Sequence, residues 1–127
     1  MRALLDTHTF LWAISDDPRL SRRAAQIFIG PSDVWLSVAS IWEILIKASV
    51  GKMPLPKPAA PYLMKRLAEN RVQLLPITLD HILKTEELPM HHRDPFDRML
   101  IAQSLKEGWP IISEDPVFKK YPIRVIW

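Results

Sequence analysis

Four acidic residues stand out in this 127-residue chain: Asp6, Glu43, Asp97 and Asp115. Asp6 ends the first apolar run, Ala3–Leu5. In open α/β sheets ligands gather at the carboxyl ends of strands, so an acid there is placed for chemistry. The plainer alternative is a cap on the next helix, because Asp accepts backbone N–H bonds readily. Glu43 interrupts Ala39–Ile46, a helical stretch that is otherwise apolar nearly all round. A buried carboxylate needs a partner or a metal. The alternative is a solvated strip of Ser40, Glu43 and Lys47, with Glu43 and Lys47 paired one turn apart.

Asp97 follows Asp94-Pro95, where Asp94 is the natural N-cap and Pro95 the first helical residue. As the third helical residue Asp97 favours the helix dipole. It also shares a stripe with Ile101 and Leu105, which turns it toward the packed side. Asp115 lies beside Glu114 in a Ser113–Pro116 turn, and both acids are candidates there. Four carboxylates cannot share a small pocket as anions without cations between them. Mg²⁺ accepts oxygen ligands while keeping waters, and Mn²⁺ suits similar donors. Such an ion orients a phosphate and supplies the nucleophile for in-line attack.

Positioning these acids requires a sheet with ordered strand ends. Short apolar runs alternate with amphipathic stretches, the sign of an α/β fold with a mostly parallel sheet. Strands are expected at 3–5, 34–38, 72–77, 110–113 and 123–126. Helices are expected at 7–14, from the Ser21 cap to Ile29, and at 40–50, closed by Gly51. Further helices are expected at 62–70, 79–87 and 95–107, the last leaving through Gly108. Met53–Pro61 carries four prolines and is expected to be an extended connection. No repeat or linker divides the chain, so residues 1–127 form a single domain.

The composition, 48% hydrophobic and 24% charged, fits a globular domain that needs no staples. The absence of cysteine excludes a disulfide scaffold, a thiolate metal site and a cysteine nucleophile. It also fits a reducing cytoplasm, and neither a signal peptide nor a membrane span is expected. The formal charge of +3 helps a polyanion approach without identifying one. His91 and His92 are adjacent and read as loop residues. Arg93 and Arg98 read as surface ion pairs, with phosphate contacts as the alternative. The five tryptophans read as core or interface.

Four segments together resemble the PIN-domain ribonucleases, most closely the VapC-type toxins of bacterial toxin–antitoxin pairs. They are LLDTHTFLW from Leu4, SIWEI from Ser40, HRDPFDRMLIAQ from His92 and IISEDPVF from Ile111. The likeness spans the chain. It implies a PIN-like three-layer α/β/α sandwich around a central, mostly parallel sheet. It aligns the family's acids with Asp6, Glu43, Asp97 and Asp115, not with the capping Asp94. Asp6, Asp97 and Asp115 are then expected to hold Mg²⁺ or Mn²⁺. Glu43 is expected to be a further ligand or to orient the attacking water, with Ser113 in support. The resemblance also implies an RNA substrate, a homodimer and a cognate antitoxin whose tail blocks the acidic pocket with an Arg or Lys.

Two other classes compete. A phosphoacceptor receiver domain wants paired acids after the first strand and a late lysine after a strand. Asp6 stands alone, and the Ser113–Pro116 turn has no lysine. A non-catalytic RNA- or protein-binding module would keep the fold and use the acids for structure.

Overall fold

The computed structural model describes all of residues 1–127. Five parallel strands form one sheet: β1 (Arg2–Leu5), β2 (Asp33–Ser37), β3 (Gln73–Leu75), β4 (Ile111–Ile112) and β5 (Val125–Ile126). Their order is β3-β2-β1-β4-β5. The chain therefore winds outward from β1 in one direction, then returns to the other side of β1 with β4. That reversal opens a crevice at the strand ends between β1 and β4, the place where doubly wound sheets bind ligands. Leu5 pairs with Ile112 there, so Asp6 and Ser113 emerge side by side.

Six helices cover the faces: α1 (Thr7–Ile14), α2 (Arg22–Ile29), α3 (Val38–Ser49), α4 (Ala59–Glu69), α5 (Leu79–Glu87) and α6 (Pro95–Glu107). Alternation along the strands splits the core in two. Ala3, Leu5, Val34, Leu36 and Ile112 pack against Phe10, Ile14, Ile44, Leu63 and Leu67. Leu4 and Ile111 face the other way, onto Leu100, Ile101, Phe118 and Tyr121. The result is the expected three-layer α/β/α sandwich.

Two boundaries differ from the sequence-based expectation, for local reasons. Helix α3 starts at Val38, because the Ser37 hydroxyl accepts from Ala39 N at 3.1 Å and caps it directly at the end of β2. Helix α4 starts at Ala59 and includes Pro61, which was expected in the extended connection. N–H groups in a first turn have no intrahelical partner, so a proline costs nothing there. Strands β3, β4 and β5 are shorter than expected, whereas β1 begins one residue earlier and β2 keeps its length, shifted back by one.

Candidate active site

Each acid is brought to the β1–β4 edge by a different element. Asp6 follows β1 directly and is 7% exposed. Its backbone N–H is fixed to Ile112 O, and its side chain makes no capping bond to α1. The helix-cap alternative therefore fails for Asp6. Instead, Oδ2 accepts the Ser113 hydroxyl at 2.8 Å. Burial pushes the Asp6 carboxyl above its ordinary value, and the Asp115 charge adds to that rise against the opposing Ser113 bond.

Asp94 takes the capping role at α6, accepting from Phe96 N and Asp97 N. Asp97 is thus free to turn inward. Its Oδ2 lies 2.7 Å from His92 Nε2. Burial, then the charges of Asp6, Asp94 and Glu43, push Asp97 up to about 6 despite the His92 bond. Asp6 and Asp97 are neighbours electrostatically, although β1 and α6 are remote in sequence.

Glu43 is 4% exposed, and Ser40 is buried beside it, so the solvated strip does not form. The pair with Lys47 does form, at 2.7 Å. Thr7 donates its hydroxyl to Glu43 Oε1 at 2.8 Å and lies 2.9 Å from Ser40 Oγ. With its one proton given to Glu43, Thr7 accepts from Ser40.

Asp115 keeps part of its plainer reading. Its Oδ1 accepts from Val117 N and caps a 3-10 turn over Pro116–Lys120. Its backbone N–H donates to Ser113 Oγ at 3.0 Å, so one hydroxyl ties Asp115 to Asp6. Glu114 and Asp115 both line a cleft of about 440 Å³ with Asp6, His8, Trp12, Arg19 and Pro116. Asp115 acts on Asp6, whereas Glu114 acts on Arg19. Arg19 is clamped by Asp17 through two side-chain bonds and lies over the Trp12 ring at 4.9 Å.

No three His, Asp or Glu side chains converge at ligating distance. Every acid is drawn instead to a partner of its own: Asp6 to Ser113, Glu43 to Lys47, Asp97 to His92. Like charge keeps them apart. The donor set nonetheless fits a hard divalent ion. It is all oxygen, without cysteine, and Mg²⁺ uses one or two carboxylates with retained waters. Asp6, buried, and Asp97, partly buried, supply such a pair, each under like charge that a cation would offset.

Sequence reasoning missed several participants. His92 was read as a loop residue but touches Asp97, and Thr7 was read only as a helix residue. Arg98 forms neither a surface ion pair nor an open phosphate contact. It donates to the carbonyls of Thr85, Leu88, Pro89 and His92, and so fixes the loop that carries His92. Of the tryptophans, Trp42 is 62% exposed and the rest are half-buried.

The comparisons identify the family and the fold. The PIN domain family model matches residues 3–123. Ribonuclease VapC22 of Mycobacterium tuberculosis is 28% identical over 113 residues, covering 88% of this chain and 85% of the relative. VapBC2 from Rickettsia felis, solved bound to a DNA fragment from its promoter, superposes with a TM-score of 0.73 at 13% identity. That match covers 99% of this chain and 98% of the other. DNA-bound VapBC from Salmonella typhimurium gives 0.72 at 16%, covering 99% and 97%. At those identities the two structures speak for the fold alone.

Proposed function

The chain belongs to the PIN domain family, and on that footing we propose that it is a Mg²⁺- or Mn²⁺-dependent endoribonuclease, the VapC-type toxin of a toxin–antitoxin pair. One observation carries the reading. Asp6, buried, and Asp97, partly buried, come from opposite ends of the sequence, yet the Asp6 charge acts on Asp97, and neither side chain caps a helix. An acid kept only for structure at a helix start would be expected to cap it, as Asp94 does for α6. The name of the relative VapC22 supports the same activity.

Asp6 and Asp97 would hold the ion, with Asp115 Oδ2 available from the cleft side. When bound, the ion would orient the scissile phosphate and lower the pKa of the attacking water. The residues around it have separate tasks. Ser113 fixes the rotamer of Asp6, and His92 does the same for Asp97. Thr7 and Lys47 hold Glu43 in the wall. Arg19 stands at the cleft mouth as a cation for the RNA backbone.

The antitoxin partner is supported by the toxin–antitoxin complexes among the structural relatives. A basic side chain of its tail would suit the acidic cleft. A homodimer is supported by Trp42 and Ile46 on α3 and Val50 at its C-cap, which recur every fourth residue and are exposed. No helix is long and apolar enough to cross a membrane, and the enzyme would meet its RNA in the cytoplasm.

The test is cleavage of total cellular RNA, including tRNA, with Mg²⁺ or Mn²⁺ and with chelator, followed by sequencing of the ends. Wild type should give metal-dependent ends that Asp97→Asn does not. Cleavage by Asp97→Asn at the wild-type rate would sink the site assignment. No cleavage of any RNA would favour the binding module.

A further inference from the structure

A lysine forms part of the wall of the acid cluster. Lys47 Nζ sits 2.7 Å from Glu43 Oε2, and Thr7 engages Oε1, so both oxygens of this buried carboxylate have partners. The ammonium does not answer to Glu43 alone. Its pKa is raised first by the Glu43 hydrogen bond and then by the charges of Glu43, Asp94 and Asp97. Helix α3 packs against α6, which brings the Lys47 ammonium toward the acids at the start of α6. Lys47 lies on α3, and these further acids belong to the start of α6.

We propose that Lys47 is a resident cation that occupies the Glu43 side of the site, so that the centre takes one divalent ion, at Asp6 and Asp97, and not two. This rests on the metal-dependent reading given above. A second divalent ion at Glu43 would have to displace the ammonium from its contact and leave it facing Asp94 and Asp97 without its principal partner. The displaced ammonium, 35% exposed, would also stand beside a divalent cation, and like charges that close disfavour each other. Lys47 is then a positioning residue, which holds Glu43 in the wall and out of the ligand set.

Mn²⁺ titration of the metal-free full chain decides the matter, read by calorimetric stoichiometry and by electron paramagnetic resonance. Wild type should bind one Mn²⁺ per chain, with no manganese–manganese coupling in the spectrum. Lys47→Arg keeps the charge and should also bind one. Lys47→Met should bind two, with a coupled spectrum, and adding Glu43→Gln should return it to one. Two coupled ions in wild type would overturn the proposal, as would a folded Lys47→Met that still binds one. If Lys47→Met fails to fold, the wild-type count still decides. Failure of the nuclease reading looks different, since wild type would then bind no Mn²⁺ and cleave no RNA.

Discussion

The Ser113 hydroxyl donates to Asp6 Oδ2 at 2.8 Å, joining residues 107 positions apart. The same oxygen accepts from Asp115 N at 3.0 Å, so one small side chain orients two of the site's acids. In Ser113→Ala, Asp6 loses its only side-chain partner while remaining buried. Leaving a buried acceptor unpaired costs about 1–3 kcal/mol. Loss of a group that orients a ligand typically costs about 10–100-fold in metal affinity or activity. We expect both effects, the first in a thermal melt and the second in Mn²⁺ affinity. An Ala variant that binds Mn²⁺ as tightly as wild type would show that Ser113 does not orient Asp6.

Those two bonds also mark how far the sequence could be read. The strand-end place of Asp6 and the capping motif at Asp94-Pro95 are local signals, so both Asp6 and Asp97 were candidates before any tertiary contact was known, although locally a helix cap was the better reading of Asp6. For Glu43 the apolar neighbours on α3 left burial and a solvated strip with Ser40 and Lys47 equally open, and packing decided for burial. Ser113 entered only through resemblance, because its role depends on β1 and β4 lying side by side. The contacts of His92 with Asp97 and of Thr7 with Glu43 are likewise tertiary. Adjacent histidines carry no pattern, and a threonine opening a helix resembles any other. Arg98 was misread because its partners are backbone carbonyls of a loop, which have no sequence signature.

Asp97 gives a stability prediction whose sign is opposite to that of a salt-bridged acid. Its ordinary value of 3.8 is pushed up to about 6 in the folded, metal-free protein, chiefly by burial. The folded state therefore holds a proton that the unfolded chain has released. This contribution is fully present below pH 3.8 and is lost as pH rises through about 6. The shift corresponds to roughly 3 kcal/mol at most. Without divalent metal, Asp97→Asn should be more stable than wild type at pH 8, with the gap closing toward pH 4. Chemical denaturation in EDTA at both pH values checks this. A variant less stable than wild type at pH 8 would show that ionised Asp97 is not under strain.

Arg19 should act in binding and not in the chemical step. The side-chain hydrogen bond from Arg19, then its backbone N–H, lower the Asp17 carboxyl to about 2, so the clamp persists at every working pH. Arg19 is two-thirds exposed, at 66%, and borders the cleft that holds Asp6 and Asp115. Arg19→Ala should raise KM several-fold with kcat little changed. The salt dependence of RNA binding should also fall by roughly one phosphate contact. An unchanged salt slope would place the RNA path elsewhere.

Metal binding must itself depend on pH, because an ion and a proton compete for the same carboxylates. Asp97 keeps its proton up to about 6, and burial raises Asp6 in the same direction. Below that pH the ion has to displace a proton, so its affinity should fall by up to about tenfold per pH unit for each group titrating. Above it the affinity should level off. Bound ligand at 100 times its Kd adds about 2.7 kcal/mol to stability, so a melt reports the effect without any RNA. The rise in melting temperature on adding Mn²⁺ should be large at pH 8, shrink through pH 6 and nearly vanish at pH 5, with EDTA reversing it. In Asp97→Asn both the rise and its pH dependence should be much smaller. A Mn²⁺-induced rise that stays constant from pH 5 to pH 8 would mean that the ion is held by groups other than these two buried acids.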